Sequence, residues 1–200
     1  MKKIQSHQNL EGFFYQQIKN VVEKNSMNLD EALGFYLVNL LSTTHQKIAQ
    51  SDPSVMDTPL ALLFGKAQSS EDLLEKRALW KNLGDHSLYI SGFFSDHLTK
   101  SAVDIDYYMH MGGTAYQNVS FLSRESRDQR ALSDMFESLA KRFREMVDLL
   151  SQISESVGIT SNEDILRIYE RWIHTKSQHL LKKLQNEGID PLNAKKKNLH

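Results

Sequence analysis

Cysteine is absent from this 200-residue chain, which removes disulfides, thiolate nucleophiles, thiolate-ligated zinc and iron–sulfur clusters together. A reducing, intracellular compartment suits that composition. Proline is nearly as scarce: only Pro53, Pro59 and Pro191 occur, and none interrupts an amphipathic segment. Strand-type alternation of β-branched residues is missing too, so the fold expected is all-α. No charge of either sign prevails. With 24 Lys and Arg against 25 Asp and Glu the net charge is -1, and no global field draws the chain to a polyanion or an anionic membrane. Nucleic acid is therefore disfavoured as a partner. No run approaches the ~20 apolar residues that cross a bilayer. The N-terminal MKKIQSHQNLEGFF lacks the apolar stretch of an export signal. The expectation is a cytoplasmic protein without membrane association.

What is present is helical periodicity. Leu10, Phe13, Phe14, Ile18, Val21 and Val22 trace one buried face over about 10–23. Asn28, with Glu31 three residues on, reads as the cap of a second helix reaching Gln50 before the Ser-Asp-Pro at 51–53. Thr58 and Pro59 open a short helix that Gly65 should limit. Ser69 or Ser70 starts the next, with Gly84 as its stop. A central pair follows over about 85–100 and 104–123, with Asp85 and Asp104 as caps. Leu132 to Ile153 reads as one long helix with coiled-coil-like spacing, ending near Gly158. Ser161 opens a last one that closes at Gly188. The reading is a single compact bundle of about seven helices over 1–188, followed by a mobile basic tail at 189–200.

The stretch from Leu83 to Leu122 concentrates the unusual residues, among them four of the nine glycines and three of the eight histidines. Tyr89, Phe93, His97, Tyr108, Gly112, Gly113 and Tyr116 are its candidate ligand-binding residues. A glycine pair inside a helix costs about 1 kcal/mol per residue relative to alanine, so Gly112 and Gly113 need a compensating benefit. Close packing of another helix is the favoured one; a flat ligand against bare backbone is the alternative. His86, His97 and His110 with Asp104 and Asp106 are the candidate metal ligands, since imidazole and carboxylate suit iron, manganese or zinc. Their spacing matches no HExxH and no Glu-x-x-His pattern, and a structural role, with His110 bonded to Asp106, is preferred. Neither a GxSxG elbow nor a GxxxxGK[ST] or GxGxxG phosphate loop occurs. Arg124, Arg127 and Arg130 are interleaved with Glu125 and Asp128, as on a solvated face.

Ser91 to Leu98 (SGFFSDHL) and Val103 to Tyr116 (VDIDYYMHMGGTAY) resemble a small bacterial family of helical proteins of unknown function. That implies a folded helical domain and no catalytic residues. Leu83, Gly84 and Asp85 are similar to the LGD that opens the distal haem-covering helix of haem oxygenases, and His7 stands where their proximal histidine would be compared. The pattern departs at His86, Ser87 and Leu88, where that family has a Ser-Gly-Gly run. The expected function is binding, by self-association into a homo-oligomer or to a protein partner, with no cofactor. The alternative is a haem or transition-metal site of oxygenase or oxidase type between the two central helices.

Overall fold

A computed structural model describes residues 2–49, 58–93, 105–124 and 127–156. Among these lie seven α-helices and one 3-10 turn, and no strand, so the all-α bundle is the fold observed. No described helix is long and apolar enough to cross a membrane. The expected last helix from Ser161, the basic tail, and the candidates His97 and Asp104 lie outside the described residues.

Helix α1 (Lys2–Lys24) buries Phe14, Ile18 and Val21. Ser26, with φ 50°, turns the chain out of it: Met27 N–H reaches back to the Val22 carbonyl at 3.0 Å and Ser26 N–H to Glu23 at 3.2 Å, closing the last carbonyls of the helix. Helix α2 (Glu31–Ala49) places Leu33, Leu37 and Leu41 wholly inside. Its cap is Asp30, whose Oδ1 accepts the Leu33 N–H at 2.8 Å, in place of the expected Asn28. Helix α3 (Leu60–Ser69) runs straight through Gly65, because Leu63 and Ala67 on its inner face are held against the core.

Helix α4 (Leu73–Phe93) is the axis of the bundle and packs against α2 and α3. Asp72 starts it, accepting the Glu75 N–H at 2.7 Å. The stop expected at Gly84 and the new start expected at Asp85 do not occur. The helix continues because the space beside Gly84 is filled: a Cβ there would lie 2.5 Å from the Tyr116 ring. Tyr116 belongs to α5 (Ile105–Ser123), which crosses α4 closely.

After a 3-10 turn at Arg127–Gln129, the expected long helix is two: α6 (Arg130–Lys141) and α7 (Phe143–Ser156). The interruption is at Arg142, with φ -104° and ψ 19°. Its guanidinium grips Glu145 by two bonds of 2.7 and 2.6 Å, and Phe143 behind it drives its ring toward α5. α6 packs on α5, and α7 on α4 and α1. The densest part of the core is aromatic, with Tyr116 between Phe136 and Phe143 at centroid distances of 5.5 and 5.8 Å.

Candidate functional site

The crossing of α4 and α5 settles what Gly112 is for. A Cβ there would lie 2.2 Å from Phe143 Cζ and 2.8 Å from Ser87 Cβ, so the backbone is bare because a phenyl ring of this chain occupies the room. Gly113 has no such neighbour; its nearest contact would be the Ala140 carbonyl oxygen at 3.8 Å. Tyr116 is fully buried in the same crossing, and Tyr108 is half-buried near the start of α5. Tyr89 and Phe93 stack in parallel inside the bundle at 5.2 Å.

The metal candidates are spread out. His110 and Asp106 are exposed on α5, where Arg144 reaches Asp106 at 3.4 Å. His86 lines a cavity between α2, α3 and α4 that neither His110 nor Asp106 borders. Among the described residues no three His, Asp or Glu side chains come together as a metal ion requires. The Gly84 backbone compared with a haem-covering helix is covered by Tyr116.

The structure brings a different group together. Asp85 lies one residue after Gly84, three turns into α4, and its Oδ1 accepts the hydroxyls of Tyr36 from α2 and Tyr116 from α5, the latter at 2.9 Å. Lys81, one turn earlier on the same helix, holds Oδ2 at 2.5 Å and sits 5.1 Å from the centre of the Tyr36 ring. Three helices are thus tied to one carboxylate whose side chain is 17% exposed. Both phenols titrate well above the ordinary tyrosine range, first because burial opposes the phenolate and then because the Asp85 charge repels it. They remain donors at any physiological pH.

Tyr36, Lys81 and Asp85 of this network line a cavity of about 480 Å³ between α2, α3 and α4 and form its floor. Asn39, Thr43 and Lys47 line it from α2, Lys66 from α3, and Asn82, His86 and Tyr89 from α4, with Leu40, Leu63 and Ala78 as apolar wall. Burial lowers the His86 imidazole to about 4, so it stands neutral at pH 7. Burial likewise raises the Tyr89 phenol.

Of the ligand candidates drawn from the sequence, Tyr89 lines this cavity, while Phe93, Tyr108, Gly112, Gly113 and Tyr116 do not; Tyr116 is bonded to Asp85, which does. Tyr36, Lys81 and Asp85 were not among them. Tyr36 reads in sequence as one more apolar-face position of α2, and Asp85 as a cap. The one local signal that could have pointed to part of the group is the i, i+4 spacing of Lys81 and Asp85. Comparison with models of protein families, with curated proteins and with solved structures gave no match, so residue roles here rest on geometry alone.

Proposed function

We propose that the protein acts by binding, and that it takes a small polar ligand into the cavity between α2, α3 and α4. The observation that carries this reading is the cavity: about 480 Å³, within the range of small-molecule sites, with convergent hydrogen-bonding groups over a tied floor. Binding is favoured over acid–base catalysis by the titration of its groups. A catalytic acid or base works best near the ambient pH. Here the two phenols bonded to Asp85 lie far above it, His86 far below, and both oxygens of Asp85 are engaged by Tyr36, Tyr116 and Lys81.

The test is a thermal-shift screen of the full chain against neutral and charged metabolites, run beside Ala78→Phe. Ala78 is an exposed wall residue, so a phenyl ring there narrows the cavity without entering the core. A ligand that raises the melting temperature of the parent and not of the variant supports the reading. Equal shifts in both place binding elsewhere.

A second reading, self-association, is favoured by one surface. Tyr15 and Phe35, 50% and 55% exposed, stack at 6.2 Å over a groove between α1 and α2. The groove carries Lys19 on one wall and Asp30 and Glu31 on the other, a pattern that complements itself across a two-fold axis. Light scattering of parent and Phe35→Ser tests it: a dimer that the substitution dissolves supports the reading, and a monomeric parent ends it.

A further inference from the structure

We infer that the ligand of the α2–α3–α4 cavity is a small organic acid, anchored by a phosphate or carboxylate group between Lys47 and Lys66. The inference rests on the cavity being a ligand site and specifies its chemistry. Asp85 is the only acidic residue among the described groups that line the cavity, and Lys81 neutralises it at 2.5 Å. Lys47 and Lys66 remain, one from each facing wall, and neither has a carboxylate partner among the described residues. Both lie in the last turns of their helices, where the dipoles offset roughly half a charge each. A net positive charge of about one is left facing the cavity on that estimate.

The neutral groups agree with this. Thr43 Oγ1 donates to Asn39 Oδ1 at 3.2 Å, which leaves the Asn39 amide N–H groups to face a ligand as donors. His86, kept neutral, adds no charge and offers one ring N–H. A cation would meet ammonium groups and amide donors, and a neutral molecule would make no use of the two ammonium groups, which are exposed to solvent at the cavity wall. A bare inorganic anion would leave most of the volume empty beside Leu40, Leu63 and Ala78. An anionic head on an organic body satisfies both ends.

The experiment is calorimetric titration of the full chain at fixed ionic strength with inorganic phosphate, ribose 5-phosphate, citrate and, as the uncharged control, ribose. An organic anion should bind one to one, at least about tenfold more tightly than inorganic phosphate, with no heat from ribose. Lys47→Gln combined with Lys66→Gln should weaken it by about 30-fold, the loss of two charge-assisted contacts of roughly 1 kcal/mol each. Lys24→Gln with Lys141→Gln, the same charge change at exposed lysines that do not line the cavity, should stay within about twofold, since exposed distant charges are screened. The inference is overturned if this control pair weakens binding as much as the cavity pair, if ribose binds as well as its phosphate, or if no anion binds. The two failures separate: a neutral metabolite whose thermal shift Ala78→Phe abolishes leaves the cavity a ligand site and overturns only the anion. If Ala78→Phe alters no binding at all, the cavity reading itself falls.

Discussion

Asp85 and Tyr116 meet across the α4–α5 crossing, where the tyrosine hydroxyl donates to Oδ1 at 2.9 Å and the same ring fills the space beside Gly84. One aromatic side chain thereby keeps a glycine inside a helix and holds the carboxylate under the cavity. Removing the hydroxyl leaves the ring in place and takes one donor from a largely buried charge, so Tyr116→Phe is expected to cost about 1.5–3 kcal/mol. Tyr36→Phe, at the partly exposed end of the network, should cost less. Urea denaturation of the two variants checks the order. A Tyr116→Phe protein as stable as the parent would mean that Asp85 is held by something else.

The adjacent glycines of α5 should respond in opposite directions. Gly112→Ala pushes a methyl group into Phe143 and Ser87, and overpacking of this kind costs about 1–3 kcal/mol even after the gain in helix propensity. Gly113→Ala meets nothing closer than 3.8 Å, and should stabilise by about 0.5–1 kcal/mol. Phe143→Leu in the Gly112→Ala background should recover part of the loss, which a double-mutant cycle reads directly. Equal effects at the two positions would remove Phe143 as the reason for the bare backbone.

Acid should loosen the cavity side of the bundle. The His86 imidazole titrates at about 4 in the fold and near 6.5 when unfolded, so the unfolded chain binds the extra proton between those values. Its contribution is whole above about pH 6.5, falls as the pH drops, and is lost below about 4. Lys47, Lys66 and Lys81 share the cavity with the imidazole and oppose a further positive charge, and Asp85 faces it already paired. Urea midpoints at pH 7 and pH 5 should differ more in the parent than in His86→Gln. An identical pH response would assign the acid sensitivity to other groups.

The helix faces were legible in the sequence because they follow the chain's own period: Leu33, Leu37 and Leu41 are spaced for one face and lie fully inside. Breaks and junctions were not. Gly84 carries the local signature of a stop, and what overrides it, the Tyr116 ring, arrives from another helix. Arg142 carries no break signature, yet the helix is interrupted there. The glycine pair announced a close approach without revealing that only Gly112 needs it. The cavity escaped for the same reason: Tyr36 and Asp85 are 49 residues apart, and each has an ordinary local explanation. Side chains that converge from three helices leave no spacing to read.

The most direct measurement is native mass spectrometry of the full chain purified without a metal-affinity tag, set beside Ala78→Phe prepared in the same way. A small-molecule adduct is expected on the parent and not on the variant, released on denaturation as a negatively charged species. A parent without adduct that also takes up none of the metabolites offered to it, or the same adduct on both proteins, would contradict the assignment of this cavity as the functional site.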